Sequence, residues 1–211
     1  MKTFARVPIL LALVAAASCS STRYGDPQEV ETVDIGWGST DLQTMSSKMV
    51  ASLKESPALA YFDRPEKGAD KRVITYMGGI RNETAEHVNT AAVGDVIRTE
   101  LLQTGRFRFA ADKMGQEEIG EQVEFQQGSG RVDPTQAMAF GKQIGAEVVV
   151  YGTLRSIEKT RGRSVESGGS KLEDTYYLLV LNAANVESGE IIWSDKGEIR
   201  KTQRTGLFGS R

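Results

Sequence analysis

Residues 147–158, EVVVYGTLRSIE, decide the fold. Val148, Val149 and Val150 are apolar on both faces, which marks a central strand covered on two sides. Two further strand-like stretches follow, TYYLLVLNAANV (175–186) and EIIWSDKGEIRK (190–201). The first connection is the long loop RGRSVESGGSK (161–171) and the second is the short turn ESG (187–189). Three neighbouring strands joined this way predict a C-terminal antiparallel meander.

Upstream, the hydrophobic period changes. Leu42, Met45, Met49 and Leu53 recur at helical spacing behind GSTD (38–41), where Ser39, Thr40 or Asp41 can cap the first turn; the helix is expected to end near Ser56-Pro57. A connecting segment, 55–71, offers Tyr61 and Phe62 for packing. RVITYMGGI (72–80) predicts a strand whose Gly78-Gly79 pair marks a bulge or a close backbone approach. RNET (81–84) predicts a turn, with Asn82 in a turn role. Asn89 or Thr90 caps a second helix with Val93, Ile97 and Leu101 inward and Gly105 as its stop. RFRFA (106–110) alternates as a half-buried strand does. A third helix carries Ile119, Val123 and Phe125. A fourth begins at Asp133-Pro134, presents Ala137, Met138, Gly141 and Ile144, and closes at Gly145. The expected order is α, β, α, β, α, α, β, β, β, an α+β fold with a mixed β-sheet flanked by helices.

The N-terminus carries a processing signal. Lys2 and Arg6 precede the apolar run Val7–Ala17, too short to span a bilayer, and Ala16, Ala17 and Ser18 lead into Cys19, the chain's single cysteine. The layout is similar to the lipobox of bacterial lipoproteins, with Ala16 where leucine is commoner. By that resemblance Cys19 is acylated at the first mature position, and Ser20 behind it implies sorting to the outer membrane. Two or more acyl chains anchor stably where one does not, since each buried CH₂ contributes about 0.8 kcal/mol. The expected organisation is a signal peptide at 1–18, acylated cysteine and flexible tether at 19–38, a globular α+β domain at 39–201 and a C-terminal tail at 202–211. Within the tether, Ile35 and Trp37 are the residues expected to dock.

Composition excludes several functions. The formal net charge is −2 with basic and acidic residues interspersed, so no nucleic-acid surface is expected. A lone cysteine builds neither a disulfide framework nor a Cys-rich zinc site, and no HExxH is present. The single histidine, His87, lies in a polar turn without the buried acid a triad requires. Neither GxxxxGK[ST] nor GxGxxG occurs, and Glu117-Glu118 falls on a solvated helix face. No catalytic residue, cofactor or metal is expected.

Four stretches share a family likeness: VITYMGGIRNETAEHVNT (73–90), LLQTGRFRF (101–109), QIGAEVVVYG (143–152) and SGEIIWSDKGEI (188–199). Over residues 35–201 they resemble LpoB-type lipoproteins, activators of bifunctional penicillin-binding proteins. That resemblance implies a fold similar to the N-terminal domain of the TolB protein. It also implies a monomeric outer-membrane lipoprotein that binds a small non-catalytic domain of an inner-membrane peptidoglycan synthase, activating it allosterically. Tyr151 in VVVYG and Glu190 in SGEIIW match the family pattern and are the expected partner contacts. Tyr151 is taken to end the central strand beside Gly152, with both residues on one rim of the sheet. The tether from Ser20 to Gly38 reaches roughly 65 Å fully extended, shorter than the Pro-rich tethers of the best-known members. A secretion or surface-assembly lipoprotein with a curli-exporter-like domain is the alternative, and would need membrane-spanning hairpins of about ten alternating residues per strand. Trp193 and Ile191 are expected on one strand face, packed against helices.

Overall fold

A computed structural model describes residues 25–31, 33–63, 67–131, 145–164, 169–206 and 209–210. The elements run α1 (Ser39–Lys54), a 3-10 turn (Pro57–Phe62), β1 (Val73–Glu83), α2 (Thr90–Gln103), β2 (Phe107–Phe109), α3 (Lys113–Gly128), β3 (Val148–Arg161), β4 (Lys171–Asn185), β5 (Ile191–Gly206) and β6 (Gly209–Ser210). The fourth expected helix, 133–145, lies almost entirely outside the described residues, as do Cys19 and the expected signal peptide, 1–18. No helix among the described residues is long and apolar enough to cross a membrane.

The strands form one sheet in the order β2-β1-β3-β4-β5-β6. β1 pairs in parallel with β2 and β3, and the rest is antiparallel. The fold is therefore the mixed α+β sheet with a C-terminal meander that the sequence predicts. Met45, Met49 and Leu53 of α1 and Val93, Ile97 and Leu101 of α2 pack on Val148, Val150, Leu154, Tyr177, Leu179 and Leu181, all buried in one core. Glycines sit at two of the closest approaches in that packing. A β-carbon on Gly152 would stand 2.3 Å from the Val180 carbonyl oxygen. One on Gly197 would stand 3.3 Å from Met45 Cγ of α1, close enough that the methionine would have to shift by a few tenths of an ångström. Gly78-Gly79 is indeed a bulge: the β1–β3 register shifts between Met77 and Ile80.

Several expectations need correction. The strand continues through Arg81-Asn82-Glu83, where a turn was expected; Asn82 still does turn work, its amide donating to the Glu86 carbonyl at 2.9 Å. Phe62 is buried but Tyr61 points to solvent, because a 3-10 turn separates adjacent side chains. Of the α3 residues, Val123 is buried while Ile119 and Phe125 are exposed. Phe125 lies six residues from Ile119, well away from its face on a helix of 3.6 residues per turn. Ile191 is exposed as well. Ala184 pairs with Ile191 and Ala183 with Trp193, so Ile192 is an extra residue that breaks the alternation. Ile192 and Trp193 consequently both pack on the core, and the indole N–H donates to Ser52 Oγ of α1 at 3.3 Å.

Candidate functional site

Tyr151 does not end its strand. It sits near the start of β3, which continues ten residues further to Arg161, and it is paired with Asn182 of β4, which pairs with Ser194 of β5. Its neighbours Val150 and Gly152 point into the core, so Tyr151 stands on the opposite face of the sheet, about one-third exposed. Glu190 closes the β4–β5 turn. Its carbonyl accepts the Asn185 N–H at 2.8 Å, Ser188 Oγ donates to its carboxylate at 3.0 Å, and Gly189 at φ +75 supplies the reversal. The two residues lie at the same end of the meander without touching. Two strand spacings separate them laterally, about 10 Å, and Glu190 is four residues before Ser194 along β5.

The most tightly built polar cluster lies at the other end of α1, where the expected tether meets the sheet. Tyr177 of β4 is completely buried and its hydroxyl donates to one Glu86 carboxylate oxygen. The other oxygen accepts the Trp37 N–H at 2.9 Å, and the Trp37 ring meets Tyr177 edge-on at 5.4 Å. Burial, and then the Glu86 carboxylate, push the Tyr177 hydroxyl above its ordinary pKa. Lys201 of β5 donates to the Gly36 carbonyl at 2.6 Å and pairs with the buried Asp41 at 2.5 Å. Asp41 also accepts the Gly38 N–H at 2.9 Å, capping α1 from inside its first turn.

Contacts continue N-terminally. Glu31 accepts the Ser39 N–H at 2.7 Å, and Gln43 donates to the Pro27 carbonyl at 2.8 Å. Residues 27–31 and 33–38 are therefore laid on α1 and β5, held by polar contacts beyond the anticipated Ile35 and Trp37. Sequence reasoning missed Glu86, Asp41 and Lys201 as a group, because their partners lie up to 165 residues away along the chain.

His87 is exposed, and no His/Cys/Asp/Glu group among the described residues could hold a metal ion. On the sheet face of Tyr151, β3 continues with Arg155, Ile157, Lys159 and Arg161, so charges interrupt any lipid-facing apolar band.

A family model for the peptidoglycan-synthase activator LpoB matches residues 41–199, from the first turn of α1 to the middle of β5. The chain belongs to the LpoB family. Among solved structures, it is similar to the LpoB C-terminal domain from Salmonella enterica (17% identity over 75% of this chain and 98% of that one, TM-score 0.43). The corresponding Escherichia coli domain gives 18% over 75% and 98%, TM-score 0.41. The solution structure of E. coli LpoB gives 17% over 96% and 91%, TM-score 0.37. No curated protein matches the chain by sequence.

Proposed function

We propose that this LpoB-family chain is an outer-membrane lipoprotein, anchored through Cys19 and facing the periplasm as a monomer. Its folded domain binds the non-catalytic regulatory domain of a bifunctional penicillin-binding protein and raises synthase activity. The observation that carries this reading is the family match over residues 41–199, which includes nearly all of α1, the whole of α2, β3 and β4, and the first half of β5. The physical requirement is differential affinity: the activator must bind the active synthase conformation better than the resting one, and the ratio of the two affinities sets the stimulation.

The partner surface in this proposal is the end of the meander bearing Tyr151 and Glu190. An exposed tyrosine on a rigid strand supplies contact area with little entropy loss, and a carboxylate pinned by Ser188 supplies a charge for register. The test is binding of the purified chain to its cognate synthase, with glycan polymerisation measured in parallel. Tyr151→Ala and Glu190→Lys are expected to weaken binding about tenfold or more while melting as the wild type does. Unaltered affinity in both variants moves the interface elsewhere. Recovery of a penicillin-binding protein with the native lipoprotein from cross-linked cells tests the partner class, and recovery of a secretion channel instead would refute it.

A further inference from the structure

We infer that the arm formed by the far ends of β3, β4 and β5 is a basic surface that rests on anionic lipid headgroups of the membrane holding the anchor. The arm is where the sheet outruns its helices. Asp41, in the first turn of α1, meets Lys201, and β5 continues five residues beyond it to Gly206. β4 and β3 keep pace: Arg161 pairs with Leu172, and Leu172 with Arg204. These three side chains form one rung on the face of the sheet away from α1, flanked by Arg163, whose guanidinium donates to the Gly206 carbonyl at 3.4 Å.

Charge on the arm is unbalanced. Residues 159–170 carry Lys159, Arg161 and Arg163 against the single acid Glu166, in a chain whose formal net charge is −2. Nearer the body, the acids are matched: Asp174 takes Arg200 at 2.7 Å and Glu173 takes Lys171 at 2.6 Å. Arg161, Arg163 and Arg204 are exposed and form no ion pair among the described residues. Two rungs inward, Ile157 pairs with Tyr176 and is more than half exposed, so the same face offers apolar side chains beside its arginines. Guanidinium groups bind phosphates, and aliphatic and aromatic groups between them suit the headgroup boundary.

The choice of a membrane over an acidic protein follows from where the N-terminal chain runs. Val30, Glu31, Val33, Asp34 and Ile35 share a groove with Lys201, Thr202, Gln203 and Arg204, and Gln43 of α1 holds the Pro27 carbonyl, so the segment leading to Cys19 crosses the base of this arm before it passes onto α1. Six residues separate Gly25 from Cys19, a contour of about 20 Å, and the arm extends about 17 Å past Lys201. An acylated Cys19 therefore keeps the arginines within reach of the lipid surface. The placement rests on the anchor proposed above; the surface chemistry does not.

The test uses the chain from residue 19 onward carrying Cys19→Ala, so that no acyl chain contributes. It is sedimented with vesicles of phosphatidylethanolamine and phosphatidylglycerol, and with vesicles of phosphatidylcholine alone. Binding is expected to the anionic vesicles at low salt, to be lost at high salt, and to be absent on phosphatidylcholine. Arg161→Glu/Arg163→Glu/Arg204→Glu is expected to partition about 100-fold more weakly with unchanged melting, while the triple lysine variant retains binding. Equal binding to both vesicle types, no binding to either, or wild-type binding by the triple glutamate variant would overturn the inference. Synthase stimulation in detergent solution separates the remaining source. Stimulation kept by the triple glutamate variant is expected, whereas its loss, with no vesicle binding by the parent chain, assigns the arm to a protein partner. A parent chain that stimulates no synthase refutes the activator reading and leaves the vesicle result standing.

Discussion

Tyr177→Phe isolates the contact that holds the N-terminal segment to the sheet. The ring is completely buried and phenylalanine keeps its shape, so no cavity forms and the perturbation is the loss of one hydroxyl. That hydroxyl donates to Glu86, whose other oxygen keeps the Trp37 N–H at 2.9 Å. A hydrogen bond to a charged group contributes about 1.5–3 kcal/mol, so a loss near 2 kcal/mol is expected. At about 2–4 °C per kcal/mol for a chain of this size, the melting temperature falls by about 4–8 °C at pH 7. A second readout comes from pH. Burial and Glu86 raise the Tyr177 hydroxyl above its ordinary pKa of 10.0. Above that pH the unfolded chain has released this proton while the folded chain retains it, so the unfolded state binds fewer protons and stability falls as pH rises. Phenylalanine has no proton to lose, so the wild type's advantage over the variant is expected to shrink above about pH 10. Chemical denaturation followed by tryptophan fluorescence from pH 7 to 11 measures both effects. Equal stability at pH 7, or a difference that stays constant into alkali, would refute the role given to this hydroxyl.

Three other outcomes are expected. Cys19→Ala should convert a membrane-bound protein into a soluble periplasmic one, read by fractionation; sedimentation with outer membranes would remove the anchor assignment. Trp193→Ala, which strips a half-buried indole and its bond to Ser52, should destabilise by about 2–3 kcal/mol, below the full range for a core tryptophan. Melting at the wild-type temperature would show that the indole contributes nothing. Gly152→Ala should destabilise by about 3 kcal/mol or more, because its β-carbon would lie 2.3 Å from a backbone carbonyl in the middle of the β3–β4 ladder. An undisturbed melting temperature there would mean that the two strands part freely.

What the sequence made legible tracks where burial has one periodic solution. Val148–Val150, the Met45–Met49–Leu53 stripe and Val93–Ile97–Leu101 each announce their element because every apolar side chain in the pattern goes to one core. The far ends of β3, β4 and β5, 159–161, 171–174 and 202–206, were illegible for the opposite reason. Beyond Glu158 the strands bury almost nothing, and pairing is sustained by the backbone ladder and by cross-strand ion pairs such as Arg200–Asp174, which leave no hydrophobic period to detect. The Ile191–Trp193 face was misjudged because one inserted residue shifts the alternation, and nothing local in EIIWS marks which isoleucine is extra. Of the candidate surface, Tyr151 and Glu190 could be named from motif positions, but their distance apart depended on strand order. The Glu86–Tyr177–Trp37 cluster had no signal at all, since it joins segments 49 and 91 residues apart.

In the lipoprotein proposed above, the docked N-terminal segment changes what a short link to the membrane could do. As a free coil, the stretch from Ser20 to Gly38 would span only about 25 Å on average, and the domain would drift in any orientation beneath its anchor. With residues 27–31 and 33–38 laid along α1 and clipped at Glu31, Trp37 and Gly36, a contour of about 20 Å is left between Cys19 and Gly25. The reach then comes from the rigid body itself. From Arg204 on the arm to Glu190 at the opposite turn, β5 covers 14 residues, about 46 Å at about 3.3 Å per residue. Arm and turn are thus opposite poles of one continuous strand. An anchor that fixes the arginine pole to the lipid surface presents the Tyr151 and Glu190 pole away from it, into the periplasm from which a synthase domain would approach. If the proposed anchor and arm both hold, orientation that a long flexible tether would have to find by diffusion is set by the fold, and a partner would meet its surface without the entropy loss of first ordering the activator.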